Sequence, residues 1–110
     1  MNTDQCCCTA APIACNLDAI SPSDRQRYDM LRAMLASAAV GKRELPDGIA
    51  VHISTERMPL AQLAEWISFE RKCCPFLDFT IDVGAESGPV RLSLTGRAGV
   101  KEFLSQALGR

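Results

Sequence analysis

Two runs of strict alternation constrain the fold of this chain more than any other feature. Phe79, Ile81 and Val83 alternate with Thr80 and Asp82, and Val90, Leu92 and Leu94 alternate with Arg91, Ser93 and Thr95. Successive side chains of a strand point to opposite faces, so each run collects its apolar residues on one side. Between them, residues 84–89 contain Gly84, Gly88 and Pro89, which reads as a hairpin loop. The result is an antiparallel pair with one apolar face that something else must cover.

A third alternating run, Ile49, Val51 and Ile53 with Ala50, His52 and Ser54, follows the turn residues Pro46-Asp47-Gly48. The cover comes from segments of helical period. In the first, Ser21 stands as N-cap, Pro22 as the first helical residue and Asp24 as the partner in a capping-box-like pattern. Tyr28, Leu31, Met34, Leu35 and Ala38 then share a face, and Gly41 reads as the C-terminal stop. Pro59 opens a second helix with Leu60, Leu63, Ala64, Ile67 and Phe69 on its apolar face and Trp66 beside them. It should end at about Cys73, because Pro75 disfavours helical geometry in the residue before it. After Thr95-Gly96, a last helix shows Val100, Phe103, Leu104, Ala107 and Leu108 on one face. The order α-β-α-β-β-α predicts an α+β fold, a small and mainly antiparallel three-stranded sheet with helices packed on one face. Residues 17–110 make its single domain and residues 1–16 a flexible, cysteine-rich arm.

A chain of 110 residues can bury a core without disulfide staples. Its net charge of -1, with Lys and Arg scattered among acids, gives no electrostatic footprint for nucleic acid or an anionic membrane. No apolar run approaches the roughly 20 residues of a membrane span. The opening Met1-Asn2-Thr3-Asp4-Gln5 lacks the positive charge of a signal peptide. The expected compartment is the cytoplasm, where thiols stay reduced.

In that setting the cysteines stand out. Cys6, Cys7 and Cys8 are consecutive, Cys15 follows shortly, and Cys73 and Cys74 are adjacent before Pro75 and Phe76. Adjacent cysteines close no useful loop, so this is no disulfide framework. Clustered thiolates suit soft ions, with Hg, As, Cu or Zn as candidates. Structural zinc sites usually separate paired ligands by two to four residues, which argues against that variety. Low coordination numbers tolerate an adjacent pair if a third thiol joins it. Cys15, in Ala14-Cys15-Asn16-Leu17, is the candidate third ligand, and Cys6, Cys7 and Cys8 a capture arm.

Cys73 and Cys74 fall at a helix C-terminus, where partial negative charge disfavours thiolates. Arg71 and Lys72 can offset it. Glu70 projects towards the same helical face, as an oxygen ligand, a proton acceptor or, more commonly for such a residue, half of a solvated charge pair with Arg71. His52 alternates away from the apolar face and reads as a surface residue. Two rival readings remain. One is a thiol-dependent reductase or transferase using the Cys73-Cys74 pair; the other is a structural or interaction module with the cysteines as core filler. The sequence lacks Cys-x-x-Cys and has no Gly-rich phosphate loop after a strand, which removes the commonest redox and nucleotide chemistries.

Glu70-Arg71-Lys72-Cys73-Cys74-Pro75-Phe76-Leu77-Asp78-Phe79, followed by Val90-Arg91-Leu92-Ser93-Leu94-Thr95-Gly96 and Val100-Lys101-Glu102-Phe103-Leu104, resembles a group of small bacterial proteins. The same pattern resembles a C-terminal extension of some MerR-type heavy-metal-responsive regulators. The resemblance implies a role in heavy-metal or metalloid resistance, with Cys73, Cys74 and Cys15 at ligand positions and a metal-resistance protein as a partner. The DNA-binding half of such regulators has no counterpart here.

Overall fold

The computed structural model describes residues 13–108. A 3-10 turn, Leu17–Ala19, leads into α1 (Pro22–Ala38), β1 (Ala39–Leu45) and β2 (Gly48–Ile53). Then come α2 (Leu60–Cys73), β3 (Asp78–Val83), β4 (Val90–Thr95) and α3 (Val100–Leu108). The class is α+β, as expected, but the sheet has four strands, in the order β1-β2-β4-β3 with every pair antiparallel.

The extra strand corrects the three-stranded expectation. Gly41 does not stop α1: the helix ends at Ala38, Ala39 is already extended, and Gly41 lies inside β1 opposite His52. β1 carries Lys42, Arg43 and Glu44 and is mostly exposed, so it shows none of the apolar alternation that marks a strand. Charged residues are what edge strands use to discourage pairing with other chains. The same residues hide such a strand in the sequence.

The hairpins set the register. Ile49, Val51 and Ile53 of β2 stand opposite Leu94, Leu92 and Val90 of β4, and Phe79, Ile81 and Val83 of β3 meet the same three residues from the other side. This apolar face packs on Leu31 of α1, Leu63 and Trp66 of α2, and Val100 and Leu104 of α3, all buried in one core. Edge-to-face pairs join the layers: Trp66 with Phe79 at 6.2 Å between ring centroids, and Phe76 with Phe103 at 5.1 Å.

The two long helices are clamped side by side. Arg27 of α1 reaches Glu65 of α2 through Nε and Nη2, at 2.8 and 2.6 Å. At the start of α1, Ser21 is the N-cap and Pro22 follows. Its hydroxyl donates to the Asp24 carboxylate at 3.1 Å rather than accepting from the backbone, so the two partners of the capping pattern bond to each other. Among the described residues no helix is long and apolar enough to cross a membrane.

Gly48 opens β2 where a Cβ would collide with the Leu94 carbonyl of β4. Gly48→Ala is therefore expected to cost about 1–3 kcal/mol. The cost reads as a lowered urea midpoint at unchanged slope. A variant as stable as the parent contradicts this strand register.

Candidate metal centre

Helix α2 delivers the cysteine pair to a fixed corner. Its last bond runs from the Cys74 amide to the Glu70 carbonyl at 2.7 Å, with Cys74 as C-cap outside helical geometry. Pro75 then prevents continuation, and the Leu77 amide turns back onto the Cys74 carbonyl at 3.2 Å. Phe76, 8% exposed, plugs this turn into the core. Cys73 and Cys74 are 0% and 1% exposed.

A helix leaves its last carbonyls without intrahelical donors. Here the Cys73 carbonyl accepts from the Asn16 amide at 2.8 Å. That bond lays the segment before α1 across the end of α2. Buried Ile20 and a bond from Arg25 Nη2 to the Leu17 carbonyl, 3.0 Å, secure it further along. Cys15, next to Asn16, thereby reaches the pair: its Sγ lies 2.8 Å from Cys74 Sγ, and Cys73 Sγ lies 3.8 Å from Cys74 Sγ. Cys15 itself is exposed, so it forms the solvent side of the cluster.

Glu70 completes the group. One ligand atom from each of Cys15, Glu70, Cys73 and Cys74 lies within 4.8 Å of every other. Glu70 is only 7% exposed, not the solvated half of a charge pair. The Tyr28 hydroxyl donates to its Oε2 at 2.5 Å, and the Cys73 thiol donates to its Oε1 at 3.7 Å. Tyr28 also stands 4.0 Å from Cys73 Sγ. The two basic residues expected to favour thiolates are placed differently. The Lys72 ammonium sits 5.7 Å from the Phe69 ring centroid, and Arg71 is exposed.

The electrostatics favour protonated thiols. Burial, reinforced by Glu70, pushes Cys73 up to about 11. Burial also raises Cys74, with the Cys15 hydrogen bond and then Glu70 adding to it. Tyr28 is raised as well, by burial and by its bond to Glu70, so its hydroxyl remains a donor.

The structure thus brings together three of the six cysteines singled out in the sequence, Cys15, Cys73 and Cys74. Cys6, Cys7 and Cys8 lie outside the described residues. His52 is exposed. Tyr28 was read only as part of an apolar stripe. The available signal was its hydroxyl, since a tyrosine among buried aliphatic residues needs a polar partner. Comparison of the chain with protein-family models, with curated proteins and with solved structures returned no match.

Two outcomes follow from this geometry. Tyr28→Phe leaves a buried carboxylate short of one donor and should cost about 1–3 kcal/mol in denaturant unfolding; an unchanged midpoint contradicts the buried bond. With Cys6, Cys7 and Cys8 replaced by serine, iodoacetamide at neutral pH should modify exposed Cys15 before Cys73. The Cys73 rate should keep climbing as pH rises towards about 11 rather than levelling near the ordinary 9.0. A raised value means less thiolate at neutral pH, so rapid alkylation of Cys73 there contradicts the assignment.

Proposed function

We propose that this protein binds a soft metal or metalloid ion through Cys15, Cys73 and Cys74, as a thiol trap or carrier in heavy-metal resistance or trafficking. The observation that carries the reading is the convergence of three thiols and a carboxylate within 4.8 Å, from segments far apart in the chain. Soft sulfur donors select thiophilic ions, so Hg(II), As(III) and Cu(I) come first and Zn(II) after them. The resemblance to the cysteine-pair extension of MerR-type regulators points the same way. The Cys6-Cys7-Cys8 run would act as the capture arm that passes an ion to the core site, and a metal-resistance protein would be the partner that takes it onward.

The arrangement suits binding better than nucleophilic catalysis. A thiol-dependent reductase or transferase needs a thiol whose pKa is lowered. Burial and Glu70 instead raise Cys73 and Cys74. An ion overcomes this by exchanging with the thiol protons, so its affinity falls as acid competes for the sulfurs. The core-filler reading accounts for two buried thiols, but gives no reason for exposed Cys15 to be docked against one of them.

Anaerobic titration of the reduced protein with Hg(II), As(III) and Cu(I) tests the proposal. About one ion should occupy the core site per chain, and Cys73→Ser/Cys74→Ser should lose it. Equal binding by parent and double variant would sink the reading. A double variant that alters stability alone, with ion tolerance in cells unchanged, would establish the cysteines as core filler.

A further inference from the structure

Charge balance at this centre separates the candidate ions. Three thiolates bring three negative charges. A univalent ion bound by all three leaves a doubly negative complex, a divalent ion a singly negative one, and a trivalent ion a neutral one. The site is a poor host for excess negative charge. Cys73 and Cys74 are sealed from solvent, and the next polar neighbours are the Glu70 carboxylate and the Tyr28 phenol. Of the nearby cations, Arg71 is exposed to solvent and four others have partners of their own. Lys72 sits over Phe69, Arg32 lies 5.9 Å from the Tyr28 ring centroid, Arg25 donates to Leu17, and Arg27 pairs with Glu65. A buried charge without a partner is costly, and more so beside a carboxylate.

Shape selects in the same direction. The sulfurs are crowded, with contacts of 2.8 and 3.8 Å to Cys74 Sγ and the whole group inside 4.8 Å. A linear two-coordinate ion needs its two sulfurs well apart on opposite sides, and Cys74 Sγ, 2.8 Å from Cys15 Sγ and 3.8 Å from Cys73 Sγ, is too close to either to serve in such a pair. A trivalent metalloid with a lone pair takes three sulfurs on one side, at angles not far above a right angle. Three thiols converging from one corner and one docked strap provide that arrangement.

We infer that the centre is built for a trivalent metalloid hydroxide, arsenite or antimonite, held by Cys15, Cys73 and Cys74 together. This rests on the soft-ion reading above and narrows it to one class of ligand. The exchange balances without any co-reactant. Three S–As bonds form and three As–O bonds break. Each thiol proton leaves with one departing hydroxide as water, and no atom changes oxidation state. Exposed Cys15 meets the incoming molecule first, and the buried pair completes the pyramid with the lone pair left free.

The test uses the full chain with Cys6, Cys7 and Cys8 replaced by serine, reduced, anaerobic and in the presence of millimolar glutathione as competing thiol. Arsenite is added, and the native mass and the number of free thiols are recorded. Parallel samples receive Hg(II) and Cu(I). The expected result is a mass gain of one arsenic less three hydrogens, with loss of all three free thiols. Cys15→Ser should weaken arsenite retention about tenfold or more, because it removes an intramolecular third ligand. Arsenic that is absent, or held by only two thiols, while Hg(II) or Cu(I) loads the same chain overturns this inference and leaves the soft-ion reading standing. A chain that loads none of the three overturns both.

Discussion

The hydrogen bond from the Asn16 amide to the Cys73 carbonyl is the interaction on which the rest of the centre depends. It uses an acceptor that every helix C-terminus leaves free, and spends it on attaching a distant segment. Without it, α2 would present two buried thiols and a carboxylate, and the segment around Cys15 would be held only by Ile13 and Ile20 packed on the core to either side and by the Arg25 bond to Leu17. With it, a third sulfur is held against the pair from the solvent side. The packing of α1 on α2 serves the same end. The two helices share one core through Leu31 and Leu63, with the Arg27–Glu65 pair bridging their exposed sides, and that placement brings the Tyr28 hydroxyl onto Glu70.

The resulting centre is unusual in its charge. Reactive cysteines tend to sit at helix N-termini or beside cations, which stabilise the thiolate. Here two thiols sit at a helix C-terminus, sealed from water, beside a buried carboxylate. Such thiols hold their protons in the absence of a ligand. Any ion that binds them must therefore displace those protons. Glu70 has two physical roles open to it within this geometry: it accepts from the Cys73 thiol and from Tyr28, and it stands close enough to serve as an oxygen ligand.

Much of this organisation was legible in the sequence, for identifiable reasons. The alternation at residues 79–83 and 90–94 gave the central hairpin, because a half-buried strand has to alternate. Pro75 gave the end of α2, and so the corner that carries Cys73 and Cys74. Cys15 was singled out as the third thiol from its position just before α1 among apolar neighbours. β1 was missed because an edge strand made of Val40, Gly41, Lys42, Arg43 and Glu44 has no apolar period to read. Glu70 was misjudged because sequence shows its neighbour Arg71 but not its burial beneath α1. Tyr28 was missed for the matching reason. Its hydroxyl acquires meaning only when a residue 42 positions away is packed against it.

The central claim is that three sulfurs from two separate segments close on one ion. X-ray absorption at the edge of a bound thiophilic ion, on protein loaded at one ion per chain, tests it most directly. Three sulfur neighbours in the first shell, reduced to two by Cys15→Ser, is the predicted result. A shell of light atoms, or of two sulfurs that Cys15→Ser leaves unchanged, would contradict the account.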